Sequence, residues 1–196
     1  MPLVMRLVVG RGWGQGPQHS QSLESLFAYI PGLKVVMPST AQDAKGLLLG
    51  AIEDDNPVIY IEHRWIHYVT GEVVAGNHPL PIAGPKRLQE GGDLTVVATS
   101  YMVLEALAAA EAFRKESITI DLYDLRVLRP LELRQIEDSV RKTGRLLVID
   151  TGWKFLGIGA EICAQITETC FSHLSCPPIR MGLAEHPTPS SRSLSA

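Results

Sequence analysis

The sequence predicts an α/β protein: a partial parallel-sheet domain followed by a complete three-layer α/β/α domain. Three observations carry that prediction. Short β-branched runs alternate with segments of helical period along the whole chain. The alternation happens twice, on either side of a Gly- and Pro-rich stretch at 63–92. Caps and breakers stand where strand gives way to helix, and a β-α-β order makes the parallel sheet the default.

In the first block (1–62), "LVMRLVV" (3–9) is a strand that runs into a glycine loop. "SQSLESLFAYI" (20–30) has helical spacing and stops at Pro31-Gly32, a break-and-turn pair. "LKVVM" (33–37) is a second strand. Ser39 and Thr40, each followed three positions later by Gln42 and Asp43, form a capping-box pattern. The helix after it is expected to bury Ala44, Leu47, Leu48, Ala51 and Ile52. Asn56-Pro57 ends that helix and "VIYIE" (58–62) is the third strand. Three parallel strands leave an edge uncovered, which invites pairing with another chain, so an oligomer is expected.

Residues 63–92 read as a surface connector. The second block (93–196) opens with the strand "LTVVAT" (94–99) and a helix over 101–115 striped by Val103, Ala106, Leu107 and Ala110. "ITIDLYD" (118–124) alternates as a half-buried strand does, and Pro130 is placed to open a helix over 131–142. "RLLVID" (145–150), a helix over 158–171 and "PIRMGL" (178–183) complete the block.

Composition excludes several classes of function. The 196 residues suffice to bury about 70% of the unfolded surface. With 45% apolar and 20% charged residues and a net charge of −3, the chain carries no electrostatic footprint for nucleic acid or an anionic membrane. No apolar run reaches the length of a membrane span, and "MPLVMRLVVG", with Arg6 inside it, reads as a strand rather than a signal segment. Three cysteines, Cys163, Cys170 and Cys176, fit reduced thiols in a cytoplasm. The first two share a helix face and read as core.

Four stretches carry candidate chemistry. Gly10-x-Gly12-x-Gly14-x-Gly16 lies between a strand and a helix, but the spacing is not GxGxxG and the next strand ends in Met37-Pro38-Ser39 without a ribose-binding acid. A P-loop is excluded because no GxxxxGK[ST] occurs. The glycines instead suit a sharp turn and close approach to a ligand or partner. His19, flanked by Gln18, Ser20 and Gln21, sits where parallel sheets bind ligands, and is either a proton shuttle or part of a polar helix start. His63 and His67 have zinc-pair spacing without a third ligand. The helix end at "AIEDDNP" (51–57) offers main-chain carbonyls plus Asp54 and Asn56 to a monovalent cation, or is an ordinary helix stop.

With those residues in view, the chain resembles the β subunit of the thiamine diphosphate-dependent decarboxylating component of 2-oxo acid dehydrogenase complexes. Pyruvate, branched-chain and acetoin dehydrogenases share this family, and transketolases are similar in architecture. "QHSQSLESLFAYIPGLKVVMPSTAQDAKGLLLGAIEDDNPVIYIEH" resembles the C-terminal part of its pyrimidine-binding domain. "GGDLTVVATSYMVLEALAAAEAF", "GIGAEI" and "HPTPSS" resemble its transketolase-type C-terminal domain. The resemblance implies that His19 faces the cofactor and handles protons during acyl transfer to lipoyl groups. It implies a structural potassium at Ala51, Ile52, Asp54 and Asn56, held mostly by carbonyls.

The departures are equally informative. The family's β subunit is much longer at its N-terminus, and that part carries the glutamate that activates thiamine. The diphosphate and Mg²⁺ belong to a GDG motif of the α subunit, and no GDG occurs here. The chain is therefore expected to be inactive alone, and to need the missing half, an α subunit and a lipoyl acyltransferase core. The alternatives are a non-catalytic dimerisation module, or part of a transketolase-type sugar transferase. The tetrapeptide "QHSQ" favours the dehydrogenase side.

Overall fold

A computed structural model describes residues 1–195. The chain runs β1 (Leu3–Val9), α1 (Gly16–His19), α2 (Glu24–Tyr29), β2 (Lys34–Val36), α3 (Ala41–Ile52) and β3 (Pro57–His63). It continues through β4 (Lys86–Gln89), β5 (Leu94–Ala98), α4 (Met102–Arg114), β6 (Ile120–Asp124) and β7 (Val127–Arg129). The last elements are α5 (Arg134–Thr143), β8 (Leu146–Trp153), α6 (Ile158–Cys170), β9 (Ile179–Leu183) and α7 (Arg192–Ser195). No described helix is long and apolar enough to cross a membrane.

Two sheets form, in the orders β1-β3-β2-β7 and β4-β6-β5-β8-β9. The expected α/β class holds: β1 and β2 run parallel to β3, and β5 runs parallel to β6 and β8. Two antiparallel strands were not legible in the sequence. β7 follows the second block's β6 yet pairs with β2, matching Val35 to Arg129. β4 lies within 63–92 and pairs with β6. The first sheet thus has four strands rather than three, and β7 covers one of its edges. β1 keeps the other edge, where Leu3, Met5 and Val8 are exposed.

Both sheets bury residues into one cluster. Val9, Val35, Met37, Ile59 and Ile61 of the first block pack with Leu125, Leu128, Ile136, Val148, Ile162 and Ile166 of the second. Cys170 is buried in that cluster and Cys163 packs against it.

Several local expectations need correction. The helix expected over 20–30 is split into α1 and α2. The Ser20 hydroxyl donates to the Gly16 carbonyl at 2.9 Å and the Ser22 hydroxyl to Thr151 Oγ1 at 3.4 Å, which ties the break to its surroundings. Thr40 does cap α3, accepting from the Asp43 amide at 3.1 Å. The buried face of α3 is Asp43, Gly46, Leu47 and Ala51, whereas Ile52 is 62% exposed. The face is rotated because Gly46 and Gly50 are pressed against residue 80: the Leu80 amide donates to the Gly46 carbonyl at 2.8 Å, and a Cβ on Gly50 would lie 2.0 Å from the Leu80 carbonyl oxygen. Part of the expected connector is therefore packed, with Leu80 and Ile82 against the α3 cluster.

The stripe on α4 also stops short, because Leu107 is exposed while Val103, Ala106 and Ala110 are buried. β6 does not alternate; all five residues are buried, between α4 on one face and α5 on the other. Its acids are paired accordingly. Asp121 takes Arg87 Nε at 2.7 Å, the Ser139 hydroxyl at 2.7 Å and Lys142 Nζ at 3.2 Å, and Asp124 accepts from Ser39. Pro130 does not open α5, which begins at Arg134 with Leu133 as its N-cap. The backbone before the proline is drawn into the first sheet as β7.

Candidate functional site

The C-terminal ends of strands from both sheets converge on one cleft, the position at which parallel α/β sheets take ligands. β1 ends at Val9, and Gly10, Gly12, Gly14 and Gly16 all adopt positive φ, between 70° and 123°. Glycine is required at Gly10 for a second reason: a Cβ there would come within 3.2 Å of the His63 ring. The loop delivers the chain to α1, whose last residue is His19. His19 is exposed, and its side chain lines neither of the two principal cavities.

Beside this loop is a cavity of about 400 Å³. His63, at the end of β3, is buried there; its Nδ1 accepts from the Trp65 amide at 3.3 Å. Its ring stacks on Tyr101 with centroids 5.3 Å apart and meets Trp65 edge-on at 5.6 Å. Burial pushes the imidazole down to about 4, with Arg11 and His67 adding to the effect, so His63 is neutral at physiological pH. The zinc-pair reading of His63 and His67 finds no support in this geometry: His63 is buried against Trp65 and Tyr101, His67 is exposed, and no metal-binding group of three His, Cys, Asp or Glu occurs among the described residues.

The floor of the cleft contains Asp150, on β8, which accepts from the Thr99 hydroxyl at 2.6 Å. Its Oδ2 and both oxygens of Glu24, on α2, are buried without hydrogen-bond partners among the described residues. Between the two acids, Gly152 leaves no room for a side chain, since a Cβ would sit 2.3 Å from Glu24 Oε1 and 3.4 Å from Asp150 Oδ2. Burial and repulsion by Asp150 push the Glu24 carboxyl well above the usual range, and burial raises Asp150 as well.

A carboxyl raised in the folded state stabilises fully below its unfolded value, near 4.3, and that contribution is lost as pH rises through the folded value. Glu24→Gln is therefore expected to flatten the decline in stability seen on going from about pH 5 to about pH 8. Urea unfolding at the two pH values measures this; parallel declines in the two proteins would show that Glu24 stays ionised in the fold.

The helix end at 51–57 is organised by Asp54. Its Oδ2 pairs with Lys34, and its Oδ1 accepts from the Asn56 amide at 2.9 Å and side chain at 2.8 Å. Those bonds lower its pKa against a burial penalty that acts the other way. Ala51 is buried, Ile52 exposed, and the Asp54 carboxylate is committed to protein partners. Any cation here would rest on main-chain carbonyls.

Sequence reasoning missed His63, Glu24 and Asp150 as a group. His63 closes β3, Glu24 opens α2 and Asp150 lies within β8, but only the packing of the two blocks brings Glu24 and Asp150 together. The available signal was "VID": an acid closing an otherwise apolar strand.

Comparison with known proteins agrees with this architecture. The model of the transketolase pyrimidine binding domain matches residues 1–66, and that of the transketolase C-terminal domain matches residues 85–196. The rice (Oryza sativa subsp. japonica) mitochondrial pyruvate dehydrogenase E1 component subunit beta-1 is 41% identical over 99% of this chain and 53% of its own length. The acetoin:2,6-dichlorophenolindophenol oxidoreductase subunit beta of Cupriavidus necator is 42% identical over 90% of this chain and 54% of its own. The chain thus spans about half the length of these relatives. A solved structure titled as a split gene transketolase, inactive beta4 tetramer, shares the fold with a TM-score of 0.72 at 23% identity, covering 93% of this chain and 57% of that one. By these matches the chain belongs to the transketolase family, with pyrimidine-binding and C-terminal domains like those of pyruvate dehydrogenase E1 beta subunits.

Proposed function

We propose that this chain supplies one wall of a thiamine diphosphate-dependent 2-oxo acid dehydrogenase (acyl-transferring) active site, and that it has no decarboxylase activity alone. The observation that carries the reading is the placement of His19: exposed, at the end of α1, beyond the C-terminal end of β1 and after a glycine loop that lets a partner approach closely. In the assembled enzyme His19 holds and moves the proton during acyl transfer to lipoyl-lysine. Thiamine diphosphate supplies the carbanion chemistry when bound.

The cofactor does not fit this chain by itself. No metal-binding cluster for Mg²⁺ occurs among the described residues, and the unpartnered buried oxygens of Glu24 and Asp150 are acidic, the wrong sign for a diphosphate. In this reading both anchors come from a companion α subunit and from the part of the β-subunit relatives that this chain does not span. The lipoyl acyltransferase core is the acyl acceptor. The uncovered β1 edge suits completion of the sheet by another polypeptide segment. A homo-oligomer in a reducing compartment such as the cytoplasm accords with that edge and with three free cysteines. A structural potassium at Ala51, Ile52, Asp54 and Asn56 would order the end of α3 through carbonyls, the side chain of Asp54 being already engaged.

The rival reading makes the first block vestigial to a docking module. The shared core of the two blocks disfavours it, because Val35, Met37, Ile59 and Ile61 are as buried as their neighbours from the second block. Calorimetric titration of the purified chain with thiamine diphosphate and Mg²⁺ tests the proposal. No saturable heat is expected up to about millimolar cofactor. Micromolar binding by the chain alone would mean that it rebuilds a complete site, and the one-wall reading would be wrong.

A further inference from the structure

The cavity of about 400 Å³ between the two blocks has a chemistry of its own. Five strand ends contribute to it: Gly10 after β1, His63 of β3, Tyr101 beyond β5, Asp150 and Thr151 of β8, and Met181 to Leu183 of β9. Its volume lies in the range of sites for small organic ligands. The lining divides into three parts.

Arg11, Lys154 and Arg180 bring positive charge to the cleft. Arg180 is held in place, donating from Nη1 to the Lys154 carbonyl at 2.8 Å, and the Arg11 guanidinium lies 5.8 Å from the centroid of Trp65. Trp65, Tyr101, Met102, Met181 and Leu183 give an apolar, partly aromatic wall, with Trp65 and Tyr101 fixed edge-to-face at 4.9 Å. The floor carries the hydroxyls of Ser20, Ser22 and Thr151, all buried, and the Asp150 carboxyl, whose Oδ2 has no hydrogen-bond partner among the described residues. His63 adds a ring nitrogen: with Nδ1 accepting from Trp65, the neutral tautomer carries its proton on Nε2.

We propose that this cavity binds a small organic carboxylate with a flat apolar body, its charge set against Lys154 and Arg180 and its body against Trp65 and Tyr101. Three cationic side chains select an anion. The acids behind the floor argue against a phosphate: the carboxyls of Glu24 and Asp150 lie close together and disfavour a dianion more than a monoanionic carboxylate. The aromatic wall argues for a ligand with more than a charge to offer, since buried apolar surface contributes about 25 cal/mol per Å². This inference does not depend on the function proposed above, because every group it uses belongs to this chain.

Benzoate is the probe, followed in the intact chain by calorimetry and tryptophan fluorescence. Saturable binding is expected with a Kd of about 0.1–1 mM, as suits so few non-hydrogen atoms. The double substitution Lys154→Gln, Arg180→Gln should weaken it about tenfold or more, and Trp65→Leu by a similar factor. Lys154→Gln alone, at an exposed side chain that leaves the fold untouched, should weaken it about threefold and serves if the double variant is unstable. Benzyl alcohol, which keeps the ring and lacks the charge, should not bind in this range, and inorganic phosphate at about 10 mM should not displace benzoate. Absence of saturation by about 20 mM benzoate would overturn the proposal. So would full displacement by phosphate, or affinities unchanged by Lys154→Gln and Trp65→Leu.

Discussion

Replacing His19 by alanine is expected to leave unfolding of the chain unchanged while lowering acyl transfer by roughly 10²–10⁴ in an assembly reconstituted with an α subunit and the part of its β-subunit relatives that this chain does not span. Both parts follow from where the residue sits. The imidazole is exposed at the end of a four-residue helix and takes no part in the hydrophobic clusters, so its removal leaves no cavity and no unpaired group. A solvent-facing histidine with no structural duty is available for proton transfer once a partner closes over it. Single-turnover transfer to a lipoyl acceptor measures the effect. Activity within about twofold of wild type would remove His19 from the mechanism, even if the assembly itself were active.

The second large effect is on stability. Arg126→Met is expected to cost about 3–5 kcal/mol, read as a shift in the urea midpoint at constant slope. Asp43 is only 1% exposed, and its Oδ1 accepts from Arg126 Nη1 at 2.7 Å. Its other oxygen takes the Thr40 hydroxyl at 2.8 Å and Lys86 at 3.4 Å. Lys86 is partly solvated and at longer range, so it replaces little of what Arg126 provides. Removing the guanidinium leaves a buried anion short of its main partner, which is the costly way to break such a pair. Adding Asp43→Asn should recover most of the loss, because the charge then disappears from both sides. A loss below about 1 kcal/mol for Arg126→Met would mean that water reaches Asp43 and that the contact is peripheral.

These two residues also mark what the sequence could and could not disclose. α3 was legible because its signals are local: Thr40 and Asp43 are three positions apart and cap the helix they belong to. Arg126 was not, since nothing near it in the chain says that its partner lies on α3. The same division runs through the fold. β5 and β8 declare themselves by composition, whereas β7 is three residues before a proline and becomes a strand only because β2 offers it an edge. In the site, His19 stood out through its tetrapeptide and its position after a strand. Glu24 and Asp150 are ordinary acids on separate blocks until packing buries them together. Burial on both faces explains why β6 fails to alternate, and no period within its five residues could have shown it.

The path of β7 has a bearing on synthesis. A ribosome releases the residues of β1, β2 and β3 early, but the strand that closes the β2 side of their sheet emerges only after β6. Until then the β2 flank of that sheet is bare and the core it shares with the second block is unfinished. Vectorial folding, one block after the other, is therefore unavailable to this chain. The first sheet reaches its final four strands only after the chain has been made as far as β7.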